Sequence, residues 1–393
     1  MYDVIIVGGG PSGAIAALEC VKKGYKTLIL EKEKFPRDKP CGGALSEKSM
    51  RLLNSIGINL PNKIVESEYF GINVITPKTD PIKVESNTRL GVIVKRYNFD
   101  MYLIENAIKS GVSFKDGMFV KNIKLTNSKL VVNTTNREIF ESKYIIGADG
   151  AVSTVARAAG LFSRINPRLT GLSLQANIPV ETVNEYINPN NIYTYLGFFP
   201  FGYGWIFPNK KSLNIGIGGQ MSSLKNSYYK FYSFFNKIKR LKGLKIPKPI
   251  PHLLPIGGFK KNIAKNRVFL VGDAAGFIDA MTGEGIYYAM LSGKFAAEAI
   301  HGKDIRIQAN EYWKLCYNNI WKNLRASTIM ALVSGIFPGL SSYQLIDPSI
   351  SKHLIATTRG DEFYSKHYLR FFYDIFKKSP EYLYYRLTNI LKN

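Results

Sequence analysis

The sequence predicts an α/β protein built on a Rossmann-like nucleotide-binding domain. Three apolar segments indicate this fold, because each has the pattern of a buried strand that runs into glycine or aspartate. They are Val4–Val7, followed by Gly8; the start of Tyr144–Arg157, which ends in Asp149 and Gly150; and the start of Asn266–Met290, which ends at Gly272 and Asp273. At 393 residues the chain exceeds the size at which one core usually stops growing, so two or three domains are expected.

The amino-terminal unit is predicted to be a strand, a helix and a second strand. Its turn has the G-x-G-x-x-G pattern at Gly8, Gly10 and Gly13. The first glycine permits a tight turn, the second lets the backbone approach a pyrophosphate, and the third lets helix and strand pack closely. Glu31 ends the second strand, Thr27–Leu30, where an acidic side chain accepts hydrogen bonds from a ribose.

This glycine motif alone does not distinguish FAD from NAD, and two later segments favour FAD. Asp149 and Asp273 each follow a buried strand, and an aspartate there can bind ribityl hydroxyls. Ser153 is predicted to cap the helix that follows Gly150. The Gly283–Gly285 turn opens another helix, whose N-terminus can face the electron-rich pyrimidine edge of a flavin.

With these motifs in this order, the chain resembles the FAD-dependent oxidoreductases of the para-hydroxybenzoate hydroxylase fold group over roughly residues 1–300. The resemblance implies a discontinuous FAD domain, an inserted antiparallel-sheet substrate domain and a helical C-terminal region. The implied bounds are 1–65, 91–165 and 256–300 for the FAD domain, 66–90 and 166–255 for the substrate domain, and 301–393 for the C-terminal region. The implied FAD-binding residues are Gly8, Gly10, Pro11, Ser12, Gly13, Glu31, Lys32, Cys41, Gly42, Ala44, Arg96, Val120, Asp149, Gly150, Asp273, Gly283, Gly285 and Ile286.

The segment YGWIFPNKKSLNIGIGG, residues 203–219, predicts a strand with three rings on one face. Tyr203, Trp205 and Phe207 alternate with smaller or aliphatic residues, which is the period of a strand. Seven residues separate Pro208 from Gly216, and we assign them to a turn before a second, glycine-rich strand. An aromatic wall opposite a bare backbone predicts a long slot for an apolar chain. A hairpin whose rings simply fill a core is the alternative.

The pattern Y-x-W-x-F-P, seven residues, G-x-G, together with KPCGGALS, resembles the signature of the geranylgeranyl reductase family. The resemblance implies reduction of carbon–carbon double bonds in isoprenoid chains, and we expect archaeal-type ether lipid precursors such as digeranylgeranylglycerophospholipid. The implied substrate residues are Tyr203, Trp205, Phe207, Pro208, Gly216 and Gly218. The alternatives are a reductase of quinone or chlorophyll prenyl tails, a flavin-dependent monooxygenase or halogenase of the same fold, and a non-catalytic FAD-bound lipid-binding protein.

Two residues near the expected flavin are candidates for roles in the reaction. Cys41 lies in a Cys-Gly-Gly turn whose glycines let the backbone approach a ring, and we expect it to relay the proton that alkene reduction requires. A small residue at a helix entry is the alternative. Arg96 stands just outside a predicted helix with Phe99, Leu103, Ala107 and Ile108 on one face. By resemblance Arg96 contacts the flavin, and an exposed arginine is the alternative.

The charge predicts an anionic partner. Lys and Arg number 53 against 29 Asp and Glu, which leaves a net charge of +24. Residues 226–255 and 365–393 interleave cations with aromatic rings, as do helices in the lipid interface, although helices that cover a core would have the same pattern. We therefore expect an anionic membrane surface as partner, with no nucleic acid, because no reading helix or zinc module is present. NAD(P)H or a reduced ferredoxin is expected as electron donor, since only one nucleotide motif is found.

The three cysteines, Cys20, Cys41 and Cys316, are far apart and odd in number, so neither a disulfide framework nor a zinc or other metal site is expected. The N-terminus lacks the basic region of a secretion signal. The longest apolar stretch, 329–340, is shorter than the roughly 20 residues that span a bilayer. These features predict a cytoplasmic protein, peripheral on the inner face of the cell membrane.

Overall fold

The computed structural model describes residues 1–77, 80–126, 128–161, 165–183, 187–238, 241–301, 304–336 and 348–366, together with 369, 373 and 377. The strands in chain order are β1 Tyr2–Val7, β2 Thr27–Leu30, β3 Ala44–Ser46, β4 Val65–Tyr69, β5 Gly71–Ile75, β6 Ile82–Glu85, β7 Gly91–Val94, β8 Ser113–Lys115, β9 Val120–Leu125, β10 Leu130–Thr134, β11 Ile139–Gly147, β12 Thr170–Pro179, β13 Asn191–Phe199, β14 Gly202–Pro208, β15 Ser212–Gln220, β16 Ile250–Pro255, β17 Ala264–Lys265 and β18 Val268–Leu270. The helices are α1 Pro11–Lys22, α2 Glu47–Ser55, α3 Arg96–Lys109, α4 Thr154–Ala158, α5 Ser227–Lys237, α6 Gly272–Ala275, α7 Ile286–Ala299, α8 Ile305–Cys316, α9 Lys322–Ile336 and α10 Pro348–Arg359, with a π-helical turn at Tyr317–Trp321.

The first sheet confirms the predicted strand–helix–strand unit. Its order is β17-β18-β11-β1-β2-β8, and β18, β11, β1, β2 and β8 run parallel. The central strand β1 is apolar because it lies between β11 and β2 and under α1, and Val4, Ile5 and Ile6 are fully buried. Helices α1 and α7 pack against each other, and a side chain at Gly293 would overlap the Ser12 carbonyl. The buried strands therefore place their carboxyl ends, and the loops that follow, at one edge of the sheet.

The second sheet confirms the predicted insertion of a largely antiparallel sheet into this domain. Its order is β16-β12-β15-β14-β13-β5-β6, and its strands pair antiparallel except for the parallel pair β13–β5. A third, small sheet has the order β3-β7-β4, so β4 pairs with β7 rather than with the second sheet. The bounds 66–90 and 166–255 of the substrate domain remain our proposal. The first range depends on β4, because this strand belongs to the small sheet.

The basic aromatic segment 226–255 differs from its prediction. Only Ser227–Lys237 is helical, and Ile250–Pro255 is strand β16, paired with β12. The interface interpretation does not hold for Phe231, Phe234 and Phe235, because these three rings are buried in the core under the second sheet. Tyr229, by contrast, is 74% exposed. Most of the other predicted interfacial segment, 365–393, lies outside the described residues.

Helix α3 follows its predicted periodicity apart from one residue. Phe99, Leu103 and Ala107 are buried, but Ile108 is 44% exposed. A helix advances 100° per residue, so Ile108 lies beyond the arc that faces the sheet. Arg96 is the first residue of the helix rather than a residue just outside it.

The described part of the C-terminal region is helical as predicted, and α8 packs against the first domain. Tyr312 in α8 donates a hydrogen bond of 2.6 Å to the carbonyl of Leu270 in β18. Cys316 ends α8 and, like Cys20, is fully buried with a free thiol. Within the described part of the chain, every helix is too short or too polar to cross a bilayer.

The burial of α5 predicts a large stability effect for one of its rings. We expect Phe235→Ala to lower the free energy of unfolding by about 3–5 kcal/mol, because it removes a fully buried ring. Tyr229→Ala, an exposed ring on the same helix, is the matched control and should change that free energy by less than about 0.5 kcal/mol. Urea unfolding followed by circular dichroism measures both, and equal small effects would contradict the packing.

Candidate functional site

A cavity of about 520 Å³ lies between the two large sheets and is closed on one side by α9 and α10. Sixteen predicted site residues line it: Gly10, Pro11, Ser12, Cys41, Gly42, Ala44, Arg96, Gly150, Tyr203, Trp205, Phe207, Gly218, Asp273, Gly283, Gly285 and Ile286. The predicted residues outside its lining are Gly8, Gly13, Glu31, Lys32, Val120, Asp149, Pro208 and Gly216. The structure therefore brings the nucleotide motifs and the aromatic strand to one cavity.

The glycine turn at the amino-terminal end fits a pyrophosphate. Gly8 has φ +108°, a conformation that other residues rarely adopt, and a side chain at Gly13 would overlap the Gly8 carbonyl. Gly10 precedes α1 and has no side-chain cap, so the first N–H groups of the helix are left for a ligand. The residues present thus fit the phosphates of FAD.

Of the other residues predicted at the adenosine end, Glu31 supports the glycine turn, whereas Lys32 and Val120 offer only backbone atoms. Glu31 is buried; its Oε2 accepts a 2.6 Å hydrogen bond from the N–H of Gly9, and its Oε1 accepts one of 3.0 Å from Glu33. A carboxylate has about four acceptor positions, so Glu31 retains capacity for ribose hydroxyls. Lys32 is exposed beside Glu33, and Val120 is buried in the core.

The two aspartates expected at the ribityl chain have different environments. Asp149 caps helix α4: its carboxylate accepts hydrogen bonds from Ser153 Oγ at 2.5 Å and from the N–H groups of Thr154 and Val155 at 2.7 and 3.0 Å. Ser153 also caps the helix, as predicted, by accepting from Ala156. The geometry therefore favours a capping role for Asp149 over the ribityl contact that the sequence predicts.

Asp273 lines the cavity, and two basic side chains lie near its Oδ2. Lys39 Nζ lies 3.1 Å away and His252 Nε2 lies 3.8 Å away. Burial alone would raise the pKa of Asp273, but Lys39 and His252 outweigh it and hold that pKa well below its usual range. Asp273 is thus an ionised acceptor, suited to hydroxyl donors.

The loop at Gly283–Gly285 is joined to the aromatic strand. Tyr203 donates a 2.7 Å hydrogen bond to the Thr282 carbonyl, and burial raises the pKa of Tyr203, which keeps its proton. Gly285 precedes α7 without a side-chain cap, and Ile286 is the first helical residue. This uncapped helix end fits the electron-rich edge of a flavin.

Arg96 is buried rather than exposed, which excludes the surface alternative. Its guanidinium makes two hydrogen bonds to Asp100, at 2.7 and 2.6 Å, and Arg37 contacts the same carboxylate at 2.6 Å. Burial opposes the charge on Arg96, but Asp100 outweighs this effect and raises the pKa of the guanidinium, and the nearby Cys41 side chain acts in the same direction. Cys41 thus has a permanent cation as neighbour.

The loop of Cys41 packs on the aromatic strand. A side chain at Gly42 would lie 2.7 Å from the ring of Phe207, so this glycine permits the close approach. The Sγ of Cys41 accepts from the N–H of Gly43 at 3.4 Å, and Ala44 begins β3. The loop and the strand therefore form two adjacent walls of one cavity.

Tyr203, Trp205 and Phe207 share one face of β14, as predicted, with ring centroids 6.0 and 6.2 Å apart. Trp205 Nε1 donates a 2.8 Å hydrogen bond to Asn214 Oδ1, which orients the indole. Pro208 ends the strand, and its carbonyl accepts from Ser67 Oγ at 2.7 Å. The opposite face of β14 covers the core through Ile206, so the strand serves both functions considered above.

The glycines of β15 have a different role from the one predicted. The turn contains only residues 209–211, because β15 already begins at Ser212. Gly216 pairs with Trp205 within the same sheet, so the bare backbone lies beside the aromatic wall and not opposite it. A side chain at Gly216 would overlap the indole, and one at Gly218 would lie 3.3 Å from its edge. These glycines leave room for the indole of Trp205.

Sequence reasoning missed several lining residues. Lys39 and His252 hold Asp273, Asn214 holds Trp205, and the apolar side of the cavity includes Ile72, Val74, Ile192, Leu196, Met330 and Leu354. Lys39 adjoins the Cys-Gly-Gly turn in sequence, and Asn214 lies in the glycine-rich strand. Their proximity to these motifs was a signal that would have identified them as site residues. Residues in α9 and α10 carry no motif, and only the fold brings them to the cavity.

Comparisons with known proteins agree with this site. A family model described as an FAD binding domain matches residues 1–225. Digeranylgeranylglycerophospholipid reductase of Methanococcus vannielii is 30% identical, with 84% of each chain covered. The protein of the same name from Thermoplasma acidophilum is 32% identical and covers 79% of this chain and 80% of its own.

Solved structures give the same fold. A geranylgeranyl bacteriochlorophyll reductase-like protein from Thermoplasma acidophilum superposes with a TM-score of 0.77 at 27% identity, covering 97% of each chain. A flavin-dependent brominase variant superposes with a TM-score of 0.74 at 20% identity, covering 92% of this chain and 94% of its own, which shows the fold alone.

The contrast between the two aspartates predicts separable effects. We expect Asp273→Asn to weaken FAD binding by about 10–100-fold, since a hydrogen bond to a charged group contributes about 1.5–3 kcal/mol. Asp149→Asn should leave FAD affinity unchanged and lower the free energy of unfolding by about 1 kcal/mol through the weakened cap. Fluorescence titration of the apoprotein and urea unfolding measure the two effects, and equal losses of FAD affinity would contradict the assignment.

Proposed function

The chain belongs to the family of FAD-dependent geranylgeranyl reductases, and we propose that it saturates the double bonds of geranylgeranyl chains in archaeal-type ether lipid precursors. Its class is that of oxidoreductases acting on carbon–carbon bonds. The observation that carries the lipid substrate is the continuity of one cavity, from the uncapped helix ends past Cys41 and Trp205 to the apolar side chains of β5, β13 and α10.

Reduced FAD, when bound, supplies a hydride to one carbon of the alkene, and the neighbouring carbon then needs a proton. The rings of Tyr203, Trp205 and Phe207 position the chain and exclude water. Their electron-rich faces also stabilise positive charge that develops on a tertiary carbon. Cys41 Sγ, beside Arg96 and within the cavity, is the group that we assign to moving the proton.

The choice of head group is supported by the relatives. Two relatives named for digeranylgeranylglycerophospholipid are 30% and 32% identical and cover 84% and 79% of this chain, whereas the chloroplastic relative from Arabidopsis thaliana, named for geranylgeranyl diphosphate, is 31% identical and covers 76%. Both kinds of substrate share the prenyl chain, which is the part that the apolar lining of the cavity suits. We therefore propose the phosphoglycerol of an ether lipid as the head group. Activity with the diphosphate instead would replace this assignment.

One anaerobic experiment tests the reaction. The purified FAD-loaded protein is reduced with dithionite, mixed with digeranylgeranylglycerophospholipid, and followed by flavin absorbance and mass spectrometry. We expect flavin reoxidation together with a product heavier by two hydrogens per bond. No reoxidation with this lipid, but turnover with geranylgeranyl diphosphate, would change the head group. No reoxidation with either would overturn the reductase proposal.

The electron donor proposed is NAD(P)H or a reduced ferredoxin. The net charge of +24 suits an acidic ferredoxin, while a nicotinamide requires only access to the flavin face. Anaerobic mixing of the oxidised holoprotein with NADPH, NADH or reduced ferredoxin separates these donors by the rate of flavin bleaching.

The aromatic wall predicts a selective loss of activity. We expect Trp205→Leu to slow reoxidation by the lipid on the order of 10²-fold, because misplacement of the reacting carbon is costly. Its FAD content should not change. Trp313→Leu, a ring in α8 outside the cavity lining, is the control and should reoxidise as the unchanged protein does. Full activity of Trp205→Leu would contradict the proposal that the aromatic wall positions the substrate chain.

Membrane association is proposed from charge. The basic surface would bring the cavity to anionic lipids, and Tyr229 is among the exposed rings of α5. We expect sedimentation with phosphatidylglycerol vesicles at low salt and release at high salt, since ionic attraction is screened. No binding at low salt, in the presence of full FAD loading, would contradict peripheral attachment.

A further inference from the structure

A buried ion pair between Lys48 and Glu284 lines the cavity and is not used by the proposed reaction. The Nζ of Lys48 lies 2.5 Å from Oε2 of Glu284, and their side chains are 10% and 14% exposed. The other oxygen, Oε1, accepts a hydrogen bond from Ser46 Oγ. The rings of Tyr287 and Tyr288 lie 4.9 and 5.1 Å from the ammonium.

The carboxylate of Glu284 holds Lys48 in its charged form. Burial alone would lower the pKa of Lys48, but Glu284 opposes this effect and the resulting pKa is raised. Removal of one partner would leave the other as an uncompensated buried charge. In the intact protein, the two opposite charges largely cancel at distances longer than their separation.

The pair stands at the loop expected to hold the flavin. Glu284 lies between Gly283 and Gly285, directly before α7, and its side chain turns toward α2. Lys48 lies in α2, which follows the loop of Cys41. Two electrons and one proton convert oxidised FAD to a reduced form that carries negative charge on its pyrimidine edge at neutral pH. A charge at position 284 or 48 would therefore act on the reduced and oxidised forms unequally.

We propose that Lys48 and Glu284 form a matched charge pair at the flavin, in which each charge offsets the effect of the other on the reduction potential of the bound cofactor. The carboxylate fixes the loop through Lys48 and Ser46, and the ammonium prevents that carboxylate from disfavouring the anionic reduced flavin. Both are positioning residues, since they act through the loop and its field. This inference rests on the flavin edge lying at Gly283–Gly285 and not on the identity of the lipid.

The test compares the midpoint potentials of FAD-loaded variants, measured by anaerobic reduction with xanthine and xanthine oxidase against a reference dye. Glu284→Gln leaves the ammonium uncompensated and should raise the potential. Lys48→Met leaves the carboxylate uncompensated and should lower it. The double variant removes both charges and should return toward the unchanged protein, while Lys48→Arg keeps the charge and should remain near it.

Arg51→Met is the matched control. Arg51 lies on the same helix, and its partner Asp361 is 2.9 Å away at the surface, where the two side chains are 46% and 42% exposed. We expect it to leave the potential unchanged, because exposed charges are screened by solvent. The proposal is overturned if Glu284→Gln and Lys48→Arg bind FAD with the same potential as the unchanged protein and the double variant does too. It is also overturned if the single variants shift the potential in one direction.

If Lys48→Met does not fold, the midpoint potentials of Glu284→Gln and of the double variant test the proposal, because neither variant has an unpaired buried carboxylate. A reductase that fails to act on lipid would still report a potential. Failure of the substrate proposal and failure of this inference are therefore distinguishable.

Discussion

The hydrogen bond from Tyr203 to the Thr282 carbonyl is the contact on which the site depends. It joins the aromatic strand of the second sheet to the loop that begins α7 in the first domain. The cavity occupies the space between the two sheets, so contacts that cross from one to the other fix its walls. Gly42 against Phe207 provides a second approach, with the Cys41 loop as the partner. The aromatic wall and the nucleotide motifs are thus fixed relative to each other from both ends.

Much of the fold follows from local pattern, whereas the site depends on partners distant in sequence. The strand–helix–strand unit, the Ser153 cap and the face shared by Tyr203, Trp205 and Phe207 were predictable, because periodicity and turn chemistry are local. The burial of Arg96 was not, since it depends on the carboxylate of Asp100, to which Arg37 also donates. Spacing located Asp149 correctly, but it could not show that the carboxylate turns to the backbone of α4.

The hairpin of β14 and β15 illustrates a limit of reading sequence spacing as loop length. Residues 212–215 carry a strand pattern, yet the interval between Pro208 and Gly216 suggested a turn. Similarly, the rings of α5 have the composition of an interfacial helix, and only the sheet above them identifies them as core. The brominase shares the fold at 20% identity, so chemistry must be argued from Trp205, Cys41 and their surroundings.

The Trp205 indole fills the space that a side chain at Gly216 would occupy, so the volumes of the two residues are linked. Neither residue can be replaced by a larger one without a compensating reduction in its cross-strand neighbour, because the sheet fixes their spacing. Divergent chains should therefore change both positions together, and a side chain at 216 should accompany a smaller residue at 205. Such paired exchange would widen or narrow the cavity at one point while the nucleotide end stays constant, which offers a route by which prenyl specificity could drift during evolution.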